Sequence, residues 1–265
     1  MTATTATREP RGRYGLAQAA KMEWIKLRSL RSTWWTLAIA VAGTIGIGVA
    51  VGLNTRNASG DLTNNALAGV VPGLLLAGVL GVLTMTSEYS SGMIRATLAA
   101  TPRRPLVIAA KAVVFGVVML AIGEIAAFLS FFAGGATLRH GIAAPTLGQP
   151  GVLRAVLLSG LSFCLIGLIG LGLGAIIRHS AAAIAVLVGG VYVAATFVAN
   201  IAHSVGAYTP IIIVGNSLST TNPVTCGSSA CGDHLLSAWA GLGVLCLYAA
   251  LALAVGGWLL ARRDA

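Results

Sequence analysis

Long apolar runs separated by short polar and basic segments dominate the chain. Six runs are long enough to cross a bilayer as helices, which takes about 20 mostly apolar residues each. They are Trp34–Leu53, Asn65–Thr86, Lys111–Phe132, Leu153–Ile177, Ser180–Ala202 and Leu235–Ala261. Only Arg178 and His179 separate the fourth from the fifth. Joined, the two would form a helix far too long for one crossing, so the pattern is split there. The predicted fold is an all-α integral membrane protein with six transmembrane helices, built over residues 16–265.

Two amphipathic stretches lie outside these runs. Leu16, Ala20, Trp24 and Leu27 recur at helical spacing, with Lys21, Lys26 and Arg28 on other faces. This predicts an N-terminal interfacial helix with Trp24 at headgroup depth and Lys26 and Arg28 near anionic lipid. An irregular basic tail is the alternative. Residues 1–15 before it form a polar, Arg-rich tail expected to be disordered. The second stretch, residues 87–105, reads SEYSSGMIRATLAATPRRP. Ser90 or Ser91 can cap a helix. Met93, Ile94, Thr97, Leu98 and Thr101 form its apolar stripe, and Pro102 ends it. No partner for that stripe is evident in the chain, so the short helix either floats on lipid or docks into a groove of another protein.

Composition supports the membrane reading. Charged residues make up 9% of the chain, against about 25% in soluble domains, too few to cover a water-facing surface. The net charge of +10 would suit nucleic acid, but the basic residues flank apolar runs, as membrane topology requires. With the N-terminus inside, 14 of the 17 Lys and Arg residues face the cytoplasm, and Arg56, Arg139 and Arg154 face out. Both termini then lie in the cytoplasm of a plasma-membrane protein, which demands an even number of spans. The 33 residues before the first run, and that run's length, make it an anchor that stays in place and not a cleaved signal. Gly48-x3-Gly52, Gly69-x3-Gly73 and Gly170-x3-Gly174 match the spacing that lets helix backbones approach closely.

Candidate chemistry is sparse. Glu124 is the one acid deep within a span, so it should face the bundle, a partner or a watery cavity. It is either a pathway residue or a hydrogen-bond node paired with Arg139 or Arg154. The outer loop, residues 203–234, holds an apolar stretch from Tyr208 to Gly215, too short to span, that reads as re-entrant or as a surface loop. Cys226 and Cys231 in the same loop are a candidate disulfide. With His234 they would make only three metal ligands. Cys164 and Cys246 fall within spans as small apolar residues. Protease and hydrolase signatures are absent, and so is the phosphate-cradling Gly-x4-Gly-Lys-[Ser/Thr] pattern.

The run Glu88-Tyr89-x-x-Gly92-x-Ile94-Arg95-x-x-Leu98-x-x-Thr101-Pro102-Arg103-Arg104, followed by Lys111, resembles the cytoplasmic coupling segment of bacterial ATP-binding-cassette (ABC) type-2 exporter permeases. The N-terminal Glu23-Trp24-x-Lys26-Leu27-Arg28-Ser29-x-Arg31-Ser32-Thr33-Trp34-Trp35 is similar to the entry to the first span in actinobacterial members. The resemblance implies a transport subunit and not an enzyme. Two permease copies, or sister chains, would pair in the membrane over a cytoplasmic ATPase dimer that binds ATP and magnesium. Glu88, Tyr89, Gly92, Ile94, Arg95, Leu98 and Arg103 would form the ATPase contact, with Ile94 and Leu98 inserted into the ATPase cleft. The apolar spans favour a lipid, hydrophobic drug or amphipathic cargo. The rival readings are a membrane scaffold or immunity protein that sequesters an amphipathic peptide or lipid, and a membrane-embedded lipid-modifying enzyme.

Overall fold

The computed structural model describes residues 15–56, 60–100, 104–138, 142–194, 197–198, 201, 203–220, 225–226, 229–230 and 236–262. Helix α1 is Leu16–Ser29 and α2 is Arg31–Asn54. A short α3, Leu62–Ala66, precedes α4, Val70–Ser90. Then come α5, Met93–Ala100, α6, Arg104–Ala136, and α7, Val152–Ile177. Helix α8, Ser180–Val186, runs into a π-helical segment, Leu187–Ala194, that contains Gly189 and Gly190. Short α9, His203–Gly206, and α10, Pro210–Leu218, lead to α11, Ala238–Arg262. A two-residue antiparallel pairing joins Thr225–Cys226 to Ser229–Ala230.

Among the described residues, five helices are long and apolar enough to cross a membrane: α2, α4, α6, α7 and α11. The chain is a multi-pass, all-α membrane protein. The fifth expected run is instead a shorter apolar helix, Ser180–Val193, and the rest of that run lies partly outside the described residues. The break after α7 falls where the sequence predicts it. Arg178 closes α7 in a left-handed conformation (φ 61°), and the His179 side chain accepts from the Ala182 amide to start α8. The second run departs from expectation at both ends. Its start is the separate α3, capped by Asp61, and α4 continues through Ser87, Glu88 and Tyr89, which the sequence places in the cytoplasmic loop.

Helix α7 is the central post: 78% of its apolar window is enclosed, against 28% for α2 and 22% for α11. The outward faces are apolar, with Trp35, Ile39, Val117, Ile125, Leu247 and Leu251 all exposed. In water such a surface would aggregate, and in lipid it is solvated. Close backbone approach is built from glycine. A Cβ on Gly48 would lie 2.6 Å from the Ala66 carbonyl oxygen, one on Gly73 2.8 Å from the Phe163 ring, and one on Gly174 2.9 Å from the Val82 carbonyl oxygen. All six glycines of the three spaced pairs meet a neighbouring helix this closely. The buried hydroxyls of Thr44, Thr86, Ser159 and Ser162 donate to carbonyls four residues back, so none is left unsatisfied in hydrocarbon.

Candidate functional site

At one end of the bundle, four helices converge on a buried ionic cluster. Glu23 and Lys26 are three apart on α1 and share a face. Glu88 is in the last turn of α4, and Lys111 is two turns into α6. Lys111 Nζ lies 2.6 Å from Glu23 Oε2 and 2.8 Å from Glu88 Oε1. Lys26 Nζ lies 3.0 Å from Glu23 Oε1 and 3.1 Å from Glu88 Oε1, and donates to Thr97 Oγ1 of α5 at 3.1 Å. Glu23 and Glu88 are 4% exposed and Lys111 is 5% exposed. Two carboxylates and two ammonium groups make a closed, neutral quartet, the condition under which charges tolerate burial. Burial alone would lower the Lys26 pKa, but the hydrogen bonds and negative charges of Glu23 and Glu88 outweigh it and raise it above the ordinary lysine value.

The quartet stands beside a cavity of about 630 Å³ between α1, α2, α4 and α6. Leu27, Leu80, Leu83 and Phe115 supply apolar wall; Glu23, Lys26, Glu88 and Lys111 supply the polar end. Glu88 Oε1 takes both lysines, while its buried Oε2 has no hydrogen-bond partner.

Chain reversal between α4 and α5 depends on Gly92, whose φ of 71° favours glycine. The Ser90 and Ser91 hydroxyls donate back to the Ser87 carbonyl at 3.1 and 2.7 Å, so they finish α4 and do not cap α5. The stripe of α5 has a partner inside the chain. Ile94 is 3% exposed in a cluster with Met85, Ile108, Ala175 and Leu260, and Leu98 packs against the same cluster. The outward side carries Met93, 46% exposed, and Arg95. The expectation that the stripe has no partner within the chain is therefore corrected: Ile94 and Leu98 hold α5 to α4, α6, α7 and α11. Tyr89 also faces inward, its ring 5.2 Å from the Arg178 guanidinium, while Arg178 Nη2 donates to the Leu259 carbonyl at 3.4 Å. Arg103 lies outside the described residues.

On α1 the buried positions are Ala19 and Glu23. Trp24, Arg28 and Leu16 are exposed, and Lys26 turns into the quartet. Glu124 of α6 lies over Gly160 of α7, where any Cβ would collide with its carboxyl group, and its buried Oε2 has no partner. Arg154 does not pair with it; Arg154 Nη2 donates to the Ser219 carbonyl at 3.0 Å. Arg139 lies outside the described residues. So does Cys231, and with it the disulfide reading for Cys226. Cys164 and Cys246 are free thiols.

In the sequence Glu23 and Lys111 stand in the motif segments without a role, Thr97 reads as part of the apolar stripe of α5 and not as a hydrogen-bond partner of Lys26, and nothing marks Asp61. Acid scarcity was the available signal. With only seven Asp and Glu residues, two at the edges of apolar runs with lysines nearby had reason to be paired. No protein-family model matches the chain, and no curated protein matches it.

Proposed function

We propose that the chain is the membrane-spanning subunit of an ATP-driven ABC exporter that moves a hydrophobic or amphipathic substrate. In this reading the apolar helix Ser180–Val193 belongs to the sixth crossing, and both termini face the cytoplasm. The observation that carries the proposal is the quartet. It ties the interfacial helix α1, the end of span α4, the short helix α5 and span α6 into one unit on the basic side of the protein. A push on the exposed face of α5 passes through Thr97 to Lys26, and from there to Glu88 and Glu23. Buried charges that cannot be separated cheaply transmit such a displacement without slack. The type-2 permease resemblance and the missing phosphate-binding pattern support a separate ATPase that docks on α5, through Met93 and Arg95 rather than Ile94 and Leu98.

Affinity purification of the tagged protein in mild detergent, with mass spectrometry of the co-purifying chains, tests this. A stoichiometric ATPase with a Walker A motif is expected, and it should be lost on Arg95→Glu and Met93→Asp. No ATPase under conditions that preserve a control ABC complex overturns the exporter reading.

A further inference from the structure

We infer that the outward stripe of α1 binds the headgroups of anionic phospholipid. Lys21, Trp24, Ile25 and Arg28 recur at i, i+3, i+4 and i+7, so they share one face of the helix. All four are exposed. The other face carries Glu23 and Lys26, which fasten α1 to α6 and α4 through Lys111 and Glu88. The stripe runs on into α2. Trp34 Nε1 donates to the Arg28 carbonyl at 3.3 Å and ties the corner between the two helices. Arg31, Trp34, Trp35 and Ile39 continue the exposed surface onto the wall of the first span.

Two features name the ligand. The first is charge. Among the described residues, Lys21, Arg28 and Arg31 make no ion pair. Glu23 and Glu88 are buried and committed to Lys26 and Lys111, so neither neutralises the stripe. Arginine forks take phosphate oxygens in pairs, and Lys21 and Arg28 stand about 10 Å apart along the helix, room for more than one headgroup. A choline headgroup carries its own cation, so a net-negative one is preferred. The second feature is the apolar company of these cations. Exposed indole and isoleucine side chains beside them are unfavourable in water and suited to headgroup depth, where one end of the indole is wet and the other apolar. A soluble anion or an acidic peptide would satisfy the charges and leave Trp24, Ile25 and Trp35 uncovered. A phospholipid meets both needs on one surface. The inference goes beyond the exporter reading and does not rest on it.

The test uses the full chain in mild detergent, titrated with phosphatidylglycerol or with phosphatidylcholine of the same acyl chains, and bound lipids are counted by native mass spectrometry. Phosphatidylglycerol should bind about tenfold more tightly or better, since each basic residue at an anionic surface is worth about fivefold. The preference should shrink as salt rises. Arg28→Gln should weaken phosphatidylglycerol about fivefold, and Arg28→Lys should restore part of the loss. Combining Lys21→Gln, Arg28→Gln and Arg31→Gln should bring it down to phosphatidylcholine. Arg262→Gln removes the same charge from α11 and should change nothing. Equal affinity for the two lipids in the wild type overturns the proposal. So does an equal loss in Arg28→Gln and Arg262→Gln, which would make the attraction one of net charge alone. A triple variant that keeps the lipid preference but loses a co-purifying protein assigns the stripe to a protein partner and overturns it as well. No ATPase is present in the titration, so its failure and the failure of co-purification are separate results.

Discussion

Lys111 Nζ and Glu23 Oε2 stand 2.6 Å apart across 88 residues of chain, and both are almost fully buried. Removing one member of such a pair leaves the other charged and unsolvated, at a cost of about 3–5 kcal/mol. Lys111→Met should therefore destabilise strongly in thermal unfolding. Combining it with Glu23→Gln should recover part of the loss, because the orphaned charge is then gone. Coupling within experimental error in that double-mutant cycle would mean the quartet does not act as a unit.

The quartet also sets an alkaline limit on stability. Lys26 holds its proton more tightly folded than unfolded, facing the carboxylates of Glu23 and Glu88, the Lys111 ammonium and the Thr97 hydroxyl. Its contribution is complete below the ordinary lysine value of 10.5 and drains away as pH rises through the raised folded value. Unfolding midpoints measured from neutral pH to about pH 12 should fall in the wild type. The fall should be shallower in Lys26→Met, and parallel curves would remove Lys26 from the account.

Span positions were legible because a membrane helix must be apolar along its whole length, so α2, α6, α7 and α11 follow from hydropathy. What escaped was the far end of α4. Glu88 ends an apolar run, and a charged residue there reads as the start of a loop. Only its partners, two lysines 62 and 23 residues away, let the helix carry it on to Ser90. Ile94 was misread for a related reason. A short amphipathic helix shows which face is apolar but not whether its own chain covers that face. The spaced glycines were visible, but that all six serve helix contacts could be seen only once the neighbours were in place.

Those glycines give a graded prediction. A Cβ on Gly170 would lie 2.9 Å from the Gly78 carbonyl carbon, whereas Gly43 and Gly46 have nothing within 4 Å. Gly170→Ala should cost about 1–3 kcal/mol by overpacking the α4–α7 crossing. Gly43→Ala and Gly46→Ala should be neutral or slightly stabilising, since alanine is the better helix former. Equal effects at crowded and open sites, read by unfolding in detergent, would contradict the packing described for α7.

The two faces of α5 should separate in the same assay. Ile94→Ala removes a core side chain and should cost about 2–5 kcal/mol. Met93→Ala should leave the unfolding midpoint nearly unchanged. A reversed order would place α5 the other way round on the bundle.

At the opposite end of α4, about 30 Å away at 1.5 Å per residue, Asp61 performs a different task. Its Oδ1 accepts from the Asn64 amide and the Thr220 hydroxyl, each at 3.0 Å, so it caps α3 and holds the segment after α10. Its Oδ2 accepts from Ser219 Oγ at 3.1 Å and from the Thr220 amide. Arg154 of α7 grips the Ser219 carbonyl from the other side. Charge-assisted bonds of this kind are worth about 1.5–3 kcal/mol each, and one carboxylate gathers several. Asp61→Ala should release the C-terminal end of α10, seen as faster deuterium exchange at the Ser219 and Thr220 amides. Asp61→Asn keeps one acceptor and should fall between. Exchange around Glu88 should not change in either variant, because the two polar nodes share no side chain. Coupled exchange at both ends would show instead that α4 moves as a rigid rod between them.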